Sequence, residues 1–216
     1  MRLRASAVGE MSEALAQLDS ATLYEAAGRE GALHFAIKPV WDSGTAAGPA
    51  LTVRCHPGDN LAVHRAVAQA QPGDVLVVDA AGDVGGYWGE VLTAAAQARG
   101  VRALVIDGGV RDSAALRRRG FPAWARGVGI RGCVKATPGV VGEPITCGGV
   151  AVRTGDFLVG DSDGVVVIAQ ERATDVLQAA RRRVEEEARL MGRVQGGELT
   201  LDLLGLREVL HANGVS

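Results

Sequence analysis

A repeated strand–helix pattern between residues 74 and 120 constrains the fold of this chain most strongly. The apolar, β-branched run DVLVVDA (74–80) predicts a buried strand, and the helix formers of EVLTAAAQAR (90–99) predict a helix. A second apolar run, ALVI (103–106), predicts another strand, after which Asp112 or Ser113 is suited to cap a helix. Strands and helices that alternate at this short spacing indicate parallel βαβ units and an α/β fold.

The residues on either side of this pattern predict further elements. Before it, we expect helix over 7–30, a strand over 46–55 and a helix over 61–71. After it, three short β-branched runs separated by Gly-Asp turns predict an antiparallel meander made of Val150–Val152, Phe157–Val159 and Val165–Ile168.

The last part of the chain predicts an extension of the domain. A long charged helix is expected over 171–193, and the tail that follows contains an amphipathic segment from Leu199 to Leu210. No Pro- or Ser-rich linker divides the chain. We therefore expect a single domain over residues 1–193 and a C-terminal helical arm over residues 194–216.

Composition and charge exclude several classes of protein. Hydrophobic residues make up 47% and charged residues 22% of the chain, so its bulk is not expected to be disordered. The net charge of −2 argues against a general binder of nucleic acid or anionic membranes. No apolar run approaches the roughly 18 residues of a membrane span, and residues 1–20 carry acidic side chains that signal peptides lack. We expect a cytoplasmic protein.

Two letter patterns give little support for a nucleotide or metal site. GVGIRG (127–132) matches the dinucleotide fingerprint, but no strand–helix pair is predicted around it, so we interpret it as a chance match. The three cysteines and four histidines show no spacing typical of a disulfide framework, a zinc site or a nucleophile motif.

An acid–arginine–acid set follows two neighbouring strands of the predicted sheet. Glu90 begins one helix, and Arg111 and Asp112 come after the next strand, 20 residues further on. The carboxyl ends of parallel strands share one edge, where open α/β sheets bind ligands. Carboxylates suit Mg²⁺ or Mn²⁺, and arginine suits a substrate carboxylate. The plainer interpretation is that Asp112 caps a helix and Arg111 is a surface charge, and the pattern alone leaves both open.

The glycine-rich loop over 82–89 has two interpretations of its own. Its glycines allow close approach of a ligand, and the helix start behind it offers unpaired N–H groups to a carboxylate or phosphate. Alternatively, it is a turn whose glycines serve packing. The loop by itself does not decide between an anion site and a plain connection.

Two consecutive stretches resemble a known family. PGDVLVVDAAGDVGGYWGE, followed by ARGVRALVIDGGVRD, is similar to the class II pyruvate aldolases that cleave 4-hydroxy-4-methyl-2-oxoglutarate and 4-carboxy-4-hydroxy-2-oxoadipate. The segments GDFLVGDSDGVVVI and GGELTLDLLGLRE resemble the same family, whose fold is shared by the regulator of ribonuclease activity A. The resemblance implies a swivelling α/β/β-type domain that assembles as a homotrimer or homohexamer.

The resemblance also implies roles for individual residues. Asp112 would coordinate Mg²⁺ or Mn²⁺, Glu90 would hold metal-bound water, and Arg111 would bind the pyruvyl unit and stabilise enolate charge. The helix start formed by Gly89, Glu90, Val91 and Leu92 would hold the substrate carboxylate. Glu198, in the GEL segment, would enter the active site of a neighbouring subunit. Lys135 lies in the VK segment of the family, and the resemblance gives it no role.

The expected activity is metal-dependent retro-aldol cleavage of a 4-hydroxy-2-oxo acid to pyruvate and a second keto acid. Oxaloacetate decarboxylation is expected as a side activity, because loss of CO₂ leaves the same pyruvate enolate. The alternatives are a non-catalytic regulator that binds an RNA-processing ribonuclease, a methyltransferase, and a structural oligomer without an active site. The GEL segment and the acidic pattern favour the enzyme over the regulator.

Overall fold

A computed structural model describes residues 5–215 of the chain. These residues form eight α-helices and ten β-strands. The helices are α1 (Ala5–Leu15), α2 (Ser20–Ala26), α3 (Leu61–Gln69), α4 (Glu90–Ala98), α5 (Ser113–Arg118), α6 (Ala173–Gln195), α7 (Thr200–Leu203) and α8 (Leu206–Ala212). The strands are β1 (Lys38–Pro39), β2 (Ala46–Arg54), β3 (Val75–Asp79), β4 (Ala103–Val110), β5 (Ala123–Val128), β6 (Val140–Val141), β7 (Ile145–Cys147), β8 (Val150–Val152), β9 (Phe157–Gly160) and β10 (Val165–Ile168).

One mixed sheet contains most of the strands, in the order β1-β5-β4-β3-β2-β9-β10, with β6 paired to β2. Strands β2 to β5 are parallel neighbours, and α3, α4 and α5 are the crossovers between them. The predicted βαβ units and the α/β fold class are therefore confirmed. The parallel order brings the loops that follow β2, β3 and β4 to one edge of the sheet.

The sheet nearly closes on itself because one segment bonds to both of its ends. At one end, Leu33 donates its N–H to the Val165 carbonyl (3.0 Å) and Gly31 accepts from the N–H of Val167 (2.9 Å) in β10. A few residues later, Lys38 in β1 lies opposite Ala125 in β5. Residues 31–39 thus span from β10 to β5, and they cover strand edges that would otherwise be free to pair with other chains.

Closure buries both faces of the central strands. In β3, Val75 and Val77 point into one apolar cluster, and Leu76 and Val78 point into another. The first cluster fills the inside of the nearly closed sheet, and the second packs against α3, α4 and α5. Side chains alternate between faces with a period of two, so a strand covered on both sides has a continuous apolar run rather than an alternating one.

Trp124 of β5 ties opposite sides of the closed sheet together. Its side chain is buried inside the sheet, and its indole N–H donates to the Asp161 carbonyl at 2.7 Å, just after β9. Gly160, the last residue of β9, packs directly against the indole ring. A buried indole N–H needs an acceptor, so this hydrogen bond fixes how β5 and β9 face each other.

Helices α1, α2 and α6 cover the outer face of β9 and β10. A third apolar cluster there includes Leu15, Leu23, Phe157 and Val176. Beyond Ala180, α6 has no buried residue, and neither do α7 and α8. The long C-terminal helix therefore leaves the domain as an exposed arm, although its end at Gln195 falls two residues later than expected. No helix within 5–215 is long and apolar enough to cross a bilayer.

The predicted three-stranded meander is wrong in one of its pairings. Strands β9 and β10 form the expected antiparallel hairpin, but β8 pairs with β7 in a separate two-stranded sheet. The reason is burial, because Ile145, Cys147 and Val152 of this small sheet belong to the cluster inside the large one. The GVGIRG stretch begins inside β5, where no strand was expected, and among the described residues no helix follows it before β6.

The contact between Gly160 and Trp124 gives a test of sheet closure. A Cβ atom at Gly160 would lie 2.7 Å from Cε2 of the indole, which is buried and hydrogen-bonded and so has no room to retreat. We expect Gly160→Ala to lower the free energy of unfolding by about 1–3 kcal/mol, measured by urea denaturation.

Gly192→Ala is the matched control. Gly192 lies in α6 with open space around its Cα, so alanine there should raise stability by about 0.5–1 kcal/mol. A Gly160→Ala protein as stable as the wild type would contradict the closure contact.

Candidate active site

A cavity of about 230 Å³ lies at the edge of the sheet where the parallel strands end. The loops that follow β2, β3 and β4 all contribute to it. Its lining combines backbone, apolar side chains and a few polar groups, from Asn60, His64, Gly86, Tyr87, Trp88, Gly89, Glu90, Val91, Leu92, Arg111, Asp112 and Lys135. This edge is where parallel sheets bind ligands, and most residues predicted for the site lie here.

The glycine-rich loop presents backbone to the cavity because its aromatic side chains are anchored in the core. The buried Tyr87 hydroxyl donates to Asp83 (2.8 Å) and accepts the N–H of Gly58 (2.6 Å). The Trp88 indole donates to Thr93 at 2.7 Å and stacks on Phe121. Burial raises the pKa of Tyr87, so its hydroxyl stays protonated. The loop is thus a fixed wall.

The Asp112 side chain links the loop after β4 to the end of the loop after β3. Asp112 is the residue immediately before α5, but its carboxylate makes no capping bond to that helix. Instead, Oδ2 accepts the N–H of Glu90 at the start of α4, at 3.0 Å. The backbone of Asp112 is left-handed, with φ of +56°, a conformation that costs a non-glycine residue of the order of 1–3 kcal/mol. Asp112 thus has the N-cap position of α5, as the plainer interpretation expected, but its side chain does not cap that helix.

The guanidinium of Arg111 lies beside this carboxylate. Arg111 Nε is 3.7 Å from Asp112 Oδ2, and both side chains are about half exposed, at 49% and 43%. Glu90 contributes its backbone to the pair, but its carboxylate turns to Arg119, with Oε1 3.1 Å from Nε. The structure therefore brings Arg111 and Asp112 together as expected and gives the Glu90 side chain a partner that the sequence analysis did not consider.

The start of α4 has the geometry of an anion site. Gly89 is the N-cap and makes no side-chain capping bond, so the first-turn amides of Val91 and Leu92 have no acceptor inside the helix. The Glu90 amide is already taken by Asp112. The positive end of the helix dipole lies behind these amides. The amides of Val91 and Leu92 remain free to hold a carboxylate.

Glu198 lies outside this cavity in a single chain. It sits between α6 and α7 and pairs with Arg193, at 2.9 Å and 2.5 Å. The hydrogen bond from Arg193 holds the pKa of Glu198 below its usual range. Its predicted place in the active site of a neighbouring subunit stays a prediction.

A polar wall formed by Asn60, His64 and Lys135 completes the cavity, and none of the three was expected to have a role in the site. Burial, together with the charge of Lys135, lowers the pKa of His64, so the imidazole is neutral at pH 7. The strand order indicates why this wall lies beside the glycine-rich loop. Because β2 is a parallel neighbour of β3, the loop and helix after β2 reach the same edge as the glycine-rich loop.

Asp59 holds this wall in place. Its carboxylate is buried and accepts three backbone N–H groups: Leu61 at 2.9 Å, Ala136 at 2.8 Å and Thr137 at 2.6 Å. The first belongs to α3, and the other two follow Lys135. The hydrogen bond from Leu61 and those from Ala136 and Thr137 lower the pKa of Asp59 despite its burial. One carboxylate thus fastens the Lys135 segment to the start of α3.

The donor set around Asp112 fits a cation that needs few protein ligands. Within residues 5–215, no three His, Cys, Asp or Glu side chains are grouped to hold a metal. Mg²⁺ commonly takes one or two carboxylates and fills its other positions with water and substrate oxygens. A Cβ atom at Gly89 would lie 2.5 Å from Asp112 Oδ2, so only glycine lets the carboxylate come this close to the start of α4. Asp112 therefore fits Mg²⁺ or Mn²⁺ as a single protein ligand.

Comparison with known proteins identifies the family. The family model RraA-like, described as aldolase/RraA, matches residues 12–167. The chain belongs to the RraA-like family. This match spans the sheet, the glycine-rich loop and the Arg111–Asp112 pair, and it ends before the C-terminal arm.

Relatives of this RraA-like protein carry different names. It is 42% identical over 155 residues to a protein of Halalkalibacterium halodurans named "Putative 4-hydroxy-4-methyl-2-oxoglutarate aldolase", covering 71% of this chain and 74% of that one. A solved uncharacterised protein from Pseudomonas syringae matches with a TM-score of 0.77 and 27% identity, covering 88% and 94%. RraAS2 of Streptomyces coelicolor, an RNase ES inhibitor family member, matches with a TM-score of 0.75 and 29% identity, covering 84% and 96%.

The Asp59 cluster predicts a specific loss of stability in acid. Since the folded pKa lies below the unfolded value of about 3.9, Asp59 contributes its full stabilisation above that pH and loses it as the pH falls through the folded pKa. We expect Asp59→Asn to be less stable than the wild type at pH 7, with the difference shrinking below about pH 4. Urea denaturation across this range measures it.

Asp42→Asn is the control for this series, because Asp42 is exposed on the surface. Asp42→Asn should have the same free energy of unfolding as the wild type at pH 7 and below about pH 4. A constant difference between Asp59→Asn and the wild type across the whole range would refute the role of the Asp59 charge.

Proposed function

We propose that this RraA-like protein is a divalent-metal-dependent aldolase that cleaves a 4-hydroxy-2-oxo acid to pyruvate and a second keto acid. The natural substrate would be 4-hydroxy-4-methyl-2-oxoglutarate or 4-carboxy-4-hydroxy-2-oxoadipate. The observation that carries the proposal is the Arg111–Asp112 pair beside the free amides of α4, in one cavity. The 42% identity to the named aldolase supports it.

In this proposal the pyruvyl half of the substrate binds between α4 and Arg111. Its carboxylate would accept the N–H groups of Val91 and Leu92, aided by the helix dipole. The Arg111 guanidinium would lie against the keto oxygen, where negative charge develops as the C3–C4 bond breaks. The amides are held in place before substrate arrives because Trp88, just before α4, is anchored in the core, and the Arg111 N–H donates to the Trp88 carbonyl at 2.8 Å.

Asp112 would be the protein ligand that holds Mg²⁺ or Mn²⁺. Bound there, the cation would supply Lewis-acid stabilisation of the developing negative charge. Asp112 keeps its orientation through the N–H of Glu90, so this one hydrogen bond aligns the carboxylate with the helix start. Loss of CO₂ from oxaloacetate develops charge on the same atoms, which is why we propose oxaloacetate decarboxylation as a second activity.

Removal of the proton from the 4-hydroxyl requires a base near C4 of the substrate, beyond the pyruvyl unit. We propose that a water molecule ordered by Glu90 and by Glu198 of a second copy of the chain takes this proton and, after the C3–C4 bond breaks, returns it to C3 of the pyruvyl unit. Glu90 would then exchange its partner Arg119 for that water, and Glu198 would leave Arg193. This step requires the homotrimer or homohexamer, because Glu198 lies outside the cavity of its own chain.

Substitution of Asp112 tests the cation site. We expect Asp112→Ala to reduce Mg²⁺-dependent oxaloacetate decarboxylation by at least about 100-fold, because Lewis-acid stabilisation is worth several kcal/mol. Decarboxylation is measured as pyruvate release, with Mg²⁺ and with EDTA. Asp202→Asn is the control, since Asp202 pairs with Arg207 on the exposed arm. Equal wild-type rates with Mg²⁺ and EDTA would refute metal dependence.

Gly89→Ala tests the space beside the same carboxylate. The new methyl group would overlap Asp112 Oδ2 and displace it from the Glu90 amide. We expect weaker Mg²⁺ binding by calorimetry, by about 10-fold or more, with the fold intact by circular dichroism. Gly127→Ala, whose nearest neighbour is 4.0 Å away, should bind Mg²⁺ as the wild type does. Unchanged binding in Gly89→Ala would contradict the assignment of Asp112.

A second candidate function comes from the similarity to RraAS2. RraAS2 belongs to the RNase ES inhibitor RraA protein family, so this similarity suggests a regulator that binds an RNA-processing ribonuclease. Such a regulator would inhibit RNA cleavage by an RNase E-type enzyme without a divalent-metal site of its own. Inhibition that survives Asp112→Ala, combined with no pyruvate release by the wild type, would favour the regulator over the aldolase.

A further inference from the structure

Asn60 has a buried oxygen atom without a hydrogen-bond partner in the wall of the cavity. Only 6% of the residue is exposed, and it occupies the N-cap position of α3 without a side-chain capping bond. Its Nδ2 donates to the Tyr87 carbonyl at 2.8 Å, which fixes the orientation of the amide. Among the described residues, Oδ1 has no partner. Buried acceptors are normally satisfied, so Oδ1 is available to a bound group that donates a hydrogen bond.

Water fits this acceptor better than the groups of the proposed substrates do. The carboxylates and the keto oxygen of a 4-hydroxy-2-oxo acid only accept hydrogen bonds. The 4-hydroxyl has one hydrogen, and this is the hydrogen that cleavage must remove. A water molecule has two hydrogens, so it can donate one to Asn60 and use the other elsewhere.

His64 lies one helical turn further along α3 and lines the same cavity. Its backbone N–H donates to the Asn60 carbonyl at 3.3 Å, and residues four apart are neighbours on a helix surface. Burial and the charge of Lys135 lower the pKa of His64, so the imidazole is neutral at pH 7. A neutral imidazole in a cavity is able to take up a proton and to give it back.

The other ionisable side chains that line the cavity are less suited to hold a proton. The carboxylate of Glu90 pairs with Arg119, and Asp112 is the proposed cation ligand. Arg111 and Lys135 are cations. The imidazole on α3 therefore remains as the group of the cavity wall that can take up a proton at neutral pH.

We propose that His64 holds the proton of the 4-hydroxyl between cleavage and the protonation of C3, and that a water molecule bound to Asn60 Oδ1 carries it to and from the imidazole. This inference rests on the proposed function and adds the place where the proton is kept. The water that first takes the proton becomes hydronium, which is a much stronger acid than imidazolium. The proton therefore passes on to His64.

Each bond change of the relay is balanced within one turnover. In cleavage, the 4-hydroxyl O–H bond breaks, C4 and its oxygen become a carbonyl, and the electron pair of the C3–C4 bond remains on the pyruvate enolate. The proton moves through water to form an N–H bond on His64. The imidazolium then returns the proton through water, a C–H bond forms at C3, and His64 is neutral again.

Three reactions separate this role from a structural one. Cleavage of 4-hydroxy-4-methyl-2-oxoglutarate, and exchange of the C3 protons of pyruvate in D₂O followed by NMR with Mg²⁺, both need proton transfer. Consumption of oxaloacetate in a single turnover, with enzyme in excess, needs none, because CO₂ is lost before protonation. We expect His64→Ala to slow cleavage and exchange about 100-fold and to leave oxaloacetate consumption within about 2-fold. Added imidazole should restore part of both lost rates. His56→Ala, at an exposed residue that does not line the cavity, should behave as the wild type.

The pH profile of cleavage gives an independent readout. Since the proton acceptor must be neutral, kcat of the wild type should fall as the pH drops through the pKa of His64, which burial and the charge of Lys135 hold below the usual value of about 6.5. This fall should be absent from His64→Ala. The other charged groups of the cavity, Glu90, Arg111, Asp112 and Lys135, are present in both proteins, so any fall that they cause should persist.

Substitution of Asn60 tests the bound water. We expect Asn60→Ala to slow cleavage and exchange about 10-fold, with oxaloacetate consumption close to that of the wild type. Asn213→Ala, on the exposed arm, is the matched control.

Equal losses in all three reactions would overturn the proposal, because α3 would then support the fold of the cavity rather than proton transfer. Unchanged exchange in His64→Ala would overturn it as well. A wild type that consumes oxaloacetate but does not cleave the 4-hydroxy acid would give a different result, since it would refute the proposed aldolase and the relay with it.

Discussion

Residues 31–39 hydrogen-bond to β10 at one end and pair with β5 at the other, and this bridge nearly closes the sheet. The locations of the core and of the candidate site both follow from that closure. Once the sheet is nearly closed, one face of each central strand lines an apolar interior, and the other is covered by helices. Several charged side chains then lie where the strands end, Arg54 and Asp79 at the ends of β2 and β3 and Arg111 just after β4. The carboxyl edge is left as the place where charged residues from successive loops meet.

The cavity at that edge is built largely by backbone that buried side chains hold still. Tyr87 and Trp88 point into the core and fix the glycine-rich loop, and Asp59 fastens the Lys135 segment to α3. Asp112, in a left-handed conformation, spans from its own loop to the start of α4. A strained residue that bonds across to a neighbouring helix is typical of a functional site, since the surrounding structure must stabilise it.

Charge is distributed unevenly across this cavity. On one side, Arg111 and the α4 dipole favour a carboxylate next to Asp112, the proposed cation ligand. On the other, Lys135 is part of the lining. The acids that could neutralise these groups are engaged elsewhere, Glu90 by Arg119 and Glu198 by Arg193.

The parallel core and part of the candidate site could be predicted from the amino-acid sequence alone. Continuous, β-branched apolar runs fit strands that are buried on both faces, so DVLVVDA and ALVI predicted central strands, and their spacing brought Glu90, Arg111 and Asp112 to one edge. Where side chains that are distant along the chain meet depends on tertiary packing. The turn of Asp112 towards α4, the ion pair of Glu90 with Arg119, and the convergence of Lys135 with α3 all depend on the angles at which loops leave the sheet. The periodicity of apolar residues indicates which face of a strand is buried. It does not indicate the angles at which loops leave the sheet, because packing against residues far away in sequence sets those angles.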